Sequence, residues 1–499
     1  MKQQILHPGE VYALQEKETG KWFTFQILQI GEENAVHVDL DYWSDKFPGE
    51  SDLKNMAYLR KNHHFWTKEN EINYSWVPIR WFPSDAKLIG SMPIVPLEEC
   101  RTYSNWTDGC QQKWQERWNK LPKDQISAYK DAETRWNETV IVAGMEKKIN
   151  LYGIFDDTLS AISDFSELDK LPYLGRICTT KDYPQLIPFL ERRYLIQELN
   201  WDNCQRQELD LSRTHLEDIK ISGKDVEIIK LPSSTNRLTL KGELSPSLRI
   251  ISPNDGSFMC LRVELHDDFL PDIGLSRITN LRLTNIQNFS LKNIPSRFPS
   301  LTWLGLAGKP GFIHDLIEIS ELHELETLTI DELFGFCDND FPRPENLPEL
   351  WRLWVASIPA NAGKAIKKLY KGKIPDLDFS VTKLRSDEWL KENMNNPLRH
   401  WDGSEFIPKS KYNKSVALWK ETRRRILEEA NKTEIDFPAI KNIAVEYIEG
   451  FNKLDRRSPF IETEEREDIF AAFEQILDEA NISERREEII QAMDDKRDW

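Results

Sequence analysis

Hydrophobic and polar positions change their period three times along this chain, and each change marks a predicted domain. Between residues 9 and 95, β-branched and aromatic residues lie between Gly-containing turns with partial alternation, as in Trp22-Phe-Thr-Phe-Gln-Ile-Leu28 and Ala35-Val-His-Val-Asp-Leu40. Such runs predict strands, so residues 1–100 are expected to form a small β-rich barrel or sandwich filled in part by Trp66, Trp76 and Trp81. From Thr107 to Lys148 the spacing becomes three and four residues: Cys110, Trp114, Trp118 and Leu121, then Ile126, Tyr129, Ala132, Trp136, Val140 and Ala143. Each set falls on one helical stripe, which predicts a helical connector over residues 101–190.

The third pattern is a repeat. Ile278, Leu281 and Leu283 are followed by Leu301, Leu304 and Leu306, by Leu325, Leu328 and Ile330, and by Leu350, Leu353 and Val355, with starts 23, 24 and 25 residues apart. An L-x-x-L-x-L beat within roughly 20 to 29 residues is that of leucine-rich repeats. Upstream the beat shortens to about ten residues, at Leu209/Leu211, Ile219/Ile221, Ile229/Leu231, Leu238/Leu240 and Leu248/Ile250, so extended segments rather than helices must close each coil. Residues 191–385 are therefore read as a leucine-rich-repeat-like β solenoid. Beyond it, Val416, Trp419, Ile426 and Ala430, then Ile440, Ile443, Ala444, Tyr447, Ile448 and Phe451, predict a helical acidic domain over residues 386–499, with Asp436 and Pro438 as start signals. The expected fold is an α+β multidomain chain.

A solenoid repeat touches mainly its neighbours and builds an extended surface, which suits binding another macromolecule. The strand positions between the apolar ones point away from the core, and they include Arg282, Trp303, Arg352 and Trp354, residue types enriched at interface hot spots. These four are candidate partner-binding residues.

Composition narrows the partner. The formal charge of −17 argues against nucleic acid, which requires a concentrated basic surface, and favours a basic protein. Residues 461–499 hold 14 acidic against 5 basic side chains, a net −9. Two readings of this tail compete: a solvated helix pair, and an electrostatic docking face in which Glu462, Glu464, Glu465 and Glu467 take part. No signal-peptide core or apolar span of roughly 18 residues is present, and six scattered cysteines form no C-x-x-C pair. A cytoplasmic protein without disulfides is expected, its oligomeric state unspecified.

Candidate chemistry subtracts rather than adds. His63-His64 would face opposite ways on a strand and lack a third metal ligand. Asp39-x-Asp41 with Glu50 fails as a calcium loop because Trp43 and Ser44 occupy a ligand position and the Gly position, and Asp338-Asn-Asp340 lacks the rest of that loop. No phosphate-binding loop or G-x-S-x-G elbow occurs. No catalytic, cofactor-binding or metal-binding residue is nominated, and an enzyme with an unrecognised site in residues 9–190 stands as the third reading.

The tail segments Asn396-Pro-Leu-Arg-His-Trp-Asp-Gly403, Trp419 with its basic helix, Phe451-Asn452 and Ile461-Glu-Thr-Glu-Glu-Arg-Glu-Asp-Ile469 resemble bacterial leucine-rich-repeat proteins, often labelled gliding-motility-like, of polymorphic-toxin loci. That resemblance spans residues 200–499. The first 90 residues, with His7-Pro-Gly-Glu-Val-Tyr and Gly20-Lys-Trp-Phe-Thr-Phe, resemble a small β-rich family of toxin immunity proteins. Together the resemblances imply an immunity or antitoxin-like protein that neutralises a cognate, basic toxin domain by binding it, and they transfer no functional residue. The alternative is a repeat scaffold or regulatory adaptor unconnected with toxins. Some bacterial leucine-rich-repeat effectors end in a ubiquitin-ligase domain with a nucleophilic Cys, but residues after Leu384 contain no Cys and one His, His400.

Overall fold

Alternation at the start of the chain becomes a five-stranded antiparallel sheet in the computed structural model, which describes residues 5–63, 71–432, 435–456 and 458–499. His64 and Trp66, named above, lie outside these residues. The strand order is Tyr74–Pro78, Asn34–Ser44, Trp22–Ile30, Glu10–Gln15, Lys87–Ser91. One face buries Tyr12, Leu14, Phe23, Phe25 and Ile27, and the other buries Val11, Val38 and Leu40. Burial on both faces explains why the alternation was only partial. Trp81, expected in this core, is 42% exposed beneath the Arg80 guanidinium.

The chain divides into two compact units: residues 1–284 with 293–304, and residues 285–292 with 305–499. In the first unit the antiparallel sheet is followed by the helices Cys110–Asn119 and Lys123–Thr134 and then by a hairpin of Thr139–Val142 and Met145–Lys148. Val140 and Ala143 were expected on a helical stripe. The β-branched run and a two-residue turn with positive φ at both Ala143 and Gly144 favour the hairpin instead.

Parallel strands then succeed one another: Gly153–Ile154, Arg176–Thr179, Glu198–Trp201, Asp218–Gly223, Arg237–Leu244, Cys260–Glu264 and the first residues of Asn280–Ser290. Pairing thus begins inside the stretch expected as a helical connector. Its register stacks Ile154, Ile177, Leu199, Ile219, Leu238, Leu261 and Leu281, all buried. A second parallel sheet of Glu208–Asp210, Ile228–Lys230 and Arg249–Ile251 stacks Leu209, Ile229 and Ile250. The ten-residue beat is therefore two interleaved sheets, each returning after about twenty residues. Where the beat lengthens, the extra residues form one- or two-turn helical segments such as Ile294–Arg297, Leu316–Glu321 and Pro344–Asn346.

In the second unit, Thr327–Phe334, Arg352–Ala356 and Asp378–Thr382 pair in parallel, with Ile330, Val355 and Val381 in register. The helices Lys409–Ala430, Phe437–Asp455, Thr463–Glu479 and Arg486–Asp494 enclose a core containing Trp401, Trp419, Tyr447, Phe451 and Phe473. Asp436 caps the second of these, its carboxylate accepting from the Ala439 backbone amide at 3.0 Å.

The segment Asn396–Gly403 is the clasp of this unit. Arg399 donates to Glu332 at 2.9 and 3.0 Å, and Asp402 accepts from Arg385 and from the Trp389 indole, both at 2.7 Å. Asp468 accepts from the Trp401 indole at 2.8 Å and faces His400 at 2.6 Å. Both side chains of the Arg399–Glu332 pair are 13% exposed. Arg399→Ala should therefore strand Glu332 and destabilise the chain by about 3 kcal/mol, whereas Arg399→Met with Glu332→Leu should cost less. Urea denaturation of the three proteins checks this, and an equal loss in the double variant would contradict it.

Candidate binding site

The helix Cys110–Asn119 borders two cavities of the first unit. Its start is fixed by Gly109, whose φ is +85° and where a Cβ would lie 2.7 Å from the Phe23 ring, so both backbone and space exclude a side chain. Polar contacts dock one face on the antiparallel sheet. Gln112 donates to the Leu40 carbonyl at 3.1 Å, and Glu116 accepts from Lys21 and from the Trp43 indole, both at 2.7 Å. Lys113 lies 3.2 Å from Glu16 and 2.7 Å from Glu18, and Arg117 donates to Glu18 at 3.2 Å.

The same helix lines two adjoining cavities. The larger, about 600 Å³, lies beside Glu16, Glu18, Lys113 and the segments 232–236 and 252–258. Asn254, Asp255, Gly256 and Phe258 in that second segment all have positive φ. The smaller, about 310 Å³, is lined by Trp118, Tyr129, Tyr194, His215 and Glu217, and Trp114 and Arg117 border both. Tyr194 stacks on His215 with centroids 4.1 Å apart. Glu217 accepts a hydrogen bond from the Gln197 amide at 3.2 Å, and burial pushes its pKa up despite the opposing charges of Arg117 and Lys113. The Cys110 thiol, pushed up to about 12 by burial and by Asp108 and Asp39, stays protonated at neutral pH.

The residues expected to bind a partner fall into separate groups. Arg282 is exposed and in register with Arg262 on the neighbouring strand; through Thr239 the same row reaches Lys220. Trp303 opens its strand half-buried, its backbone amide donating to the Thr279 carbonyl at 3.0 Å. Arg352 and Trp354 come together in the second unit. Asp378 accepts from Arg352 at 2.8 Å and from the Trp354 indole at 3.0 Å, and the guanidinium lies 4.4 and 4.5 Å from the Trp351 and Trp354 ring centres. Glu462, Glu464 and Glu467 are exposed around the first turn of Thr463–Glu479, but Glu465 accepts from the Glu462 amide at 3.0 Å and serves as a cap.

Sequence reading missed Lys220 and Arg262, which occupy the same between-apolar positions as Arg282 but within the interleaved beat. It also missed Trp351 and Asp378, and the convergence of Trp114, Trp118, Tyr194 and Glu217. Only the helical stripe of Trp114 and Trp118 signalled that cavity. Among the described residues no group of three or more His, Cys, Asp or Glu is placed to hold a metal, and no helix is long and apolar enough to cross a membrane.

No family model and no curated protein matches this chain. Among solved structures, an internalin C2 from Listeria monocytogenes matches with 12% identity over 52% of this chain and 92% of its own, at a TM-score of 0.21.

Glu116 offers a pH test of how the helix is held. Burial alone would raise its pKa, yet hydrogen bonds from Lys21, Trp43 and Lys120 bring it down from 4.5 to about 2. The ionised carboxylate therefore adds stability above pH 4.5, which is lost as pH falls toward 2. Glu116→Gln should lower stability at pH 7 by about 1 kcal/mol, after allowance for solvent screening, and flatten the Tm profile between those limits. Calorimetry across that range checks it; parallel profiles would contradict it.

Proposed function

We propose that this chain is a cytoplasmic, leucine-rich-repeat-like binding protein that acts as an immunity protein, neutralising a bacterial toxin domain by direct contact and without catalysis. The observation that carries the reading is the exposed knot on the strand Arg352–Ala356. Trp351 and Trp354 are 38% and 44% exposed, and the Arg352 guanidinium lies against both rings while Asp378 fixes it and the Trp354 indole. Two Trp and one Arg held in fixed orientation on a rigid strand lose little entropy when a partner covers them.

The resemblance of residues 200–499 and of the first 90 residues to proteins of toxin loci supports a toxin as that partner. The exposed Glu462, Glu464 and Glu467 suit a basic approach surface. The cationic row of Lys220, Arg262 and Arg282 suits an acidic patch on the same partner.

This reading requires a toxin gene beside this one, and co-expression with its product should protect cells and yield a co-purifying complex. Trp354→Ala should weaken the complex about 30-fold, which corresponds to about 2 kcal/mol, and leave the thermal midpoint essentially unchanged. Replacing Glu462, Glu464 and Glu467 by Gln should slow association and reduce its salt dependence. Toxicity in the presence of this protein, with no complex, would overturn the reading.

A further inference from the structure

We propose that the larger cavity of the first unit binds a neutral saccharide unit, seated against Phe258 and Trp114 and hydrogen-bonded by the side chains of Ser233, Asn236, Asn254 and Ser257. This role goes beyond the binding of a toxin and does not depend on it.

The volume of about 600 Å³ falls inside the roughly 300 to 1,000 Å³ of ordinary small-molecule sites and has ample room for a sugar ring. Its charges set no preference for an ionic ligand. Four carboxylates and three cations line it, and the less exposed of them are joined to one another. Lys113 lies 3.2 Å from Glu16 and 2.7 Å from Glu18, and Arg117 donates to Glu18 at 3.2 Å. Burial would raise the Glu16 pKa, yet hydrogen bonds from Thr19 and the charge of Lys113 hold it below its ordinary value. This network therefore stays ionised at neutral pH, and its charges cancel. Lys17 and Asp85 are exposed and of opposite sign. Asp108 accepts from the Cys110 amide at 3.0 Å, where the positive end of the helix offsets part of its charge.

What the wall leaves open is neutral. Among the described residues, the Ser233 and Ser257 hydroxyls and the Asn236 and Asn254 carboxamides have no hydrogen-bond partner. Hydroxyls and carboxamides each offer both donors and acceptors. So does every hydroxyl of a sugar, and the two sets can satisfy one another.

Aromatic surface supplies the apolar half. Phe258 lies on this wall 40% exposed with φ of +66°, a costly conformation for a bulky residue, and Asn254 and Asp255 just before it also have positive φ. The backbone there holds a large apolar ring in water beside a polar cavity. The C–H face of a sugar would cover that ring, and Trp114 on the same wall extends the apolar surface. An inorganic ion offers no apolar face, and a hydrocarbon offers no hydroxyls.

The test uses the full chain, with calorimetry and Trp fluorescence as readouts. Of maltose, cellobiose and diacetylchitobiose, at least one should bind with a Kd of about 3 mM or tighter. Sorbitol, an open-chain polyol without a ring face, should bind at least about tenfold more weakly. Phe258→Gly suits the positive φ, so it should leave circular dichroism and the thermal midpoint essentially unchanged while weakening the best disaccharide about tenfold. Asn236→Ala should weaken it about fivefold. Retained affinity for the methyl glycoside of the best binder assigns the site to the end of a glycan; lost affinity assigns it to a free reducing sugar. Weaker binding of all three disaccharides, equal binding of sorbitol, tighter binding of adenosine, arginine or glutamate, or unaltered affinity in Phe258→Gly would overturn the proposal.

Discussion

An apolar side chain on one strand of a parallel ladder is removed from water only if the next strand supplies a partner at the same register. Each repeat therefore depends on its neighbour, and a one-residue slip would turn a whole buried row outward. The stack running from Ile154 through Leu199 and Leu238 to Leu281 meets that condition strand by strand. The outward residues follow as a consequence. With Leu261 and Val263 held inward, Arg262 must point out, and with Leu281 and Leu283 inward, so must Arg282. Core packing thus aligns the cations.

The helix Cys110–Asn119 obeys a different rule. Its sheet-facing side is polar: Gln112, Gln115 and Glu116 reach carbonyls, amides and an indole rather than an apolar groove. Buried polar contacts of this kind are costly when half-made, so they fix one orientation of the helix. That orientation leaves Trp114 and Trp118 on the cavity wall.

Legibility followed the length and purity of each pattern. The stripe Ile440, Ile443, Ala444, Tyr447, Ile448, Phe451 is uninterrupted, and its residues are the buried face of Phe437–Asp455, with Asp436 at the cap. The apolar positions of the later repeats were legible for the same reason. The interleaved sheets were not, because two sequences with a twenty-residue period, offset by half, look like one with a period of ten. The connector hid its hairpin because Val140 and Ala143 also satisfy a helical spacing, and the Ala-Gly turn decides between the two. The cavity was least legible, since Trp114, Tyr194 and Glu217 are brought together by tertiary packing that no local period encodes. Among the nominated residues, the Arg352 and Trp354 pairing needed Asp378, 24 residues beyond Trp354, to become visible.

The acidic tail shows why net charge is a weak guide to a partner. Much of its charge is already committed: Glu479 to Arg423, Glu488 to Lys441, and Glu474 and Asp478 to Arg486. Asp468 is committed as well. Burial would raise its pKa, yet hydrogen bonds from His400 and Trp401 hold it below the ordinary value, so it serves the clasp at neutral pH. Glu465 caps its own helix. Among the described residues, the nominated carboxylates without an ion pair are Glu462, Glu464 and the capping Glu465, while Glu467 has only the distant Arg466 at 3.9 Å. The long-range field of the whole chain can draw in a basic partner, but the groups at hand to meet it there are few. On the proposed binding role, docking specificity rests on the aromatic and arginine positions that the ladder holds in place, with the tail setting the rate of approach more than the strength of the complex.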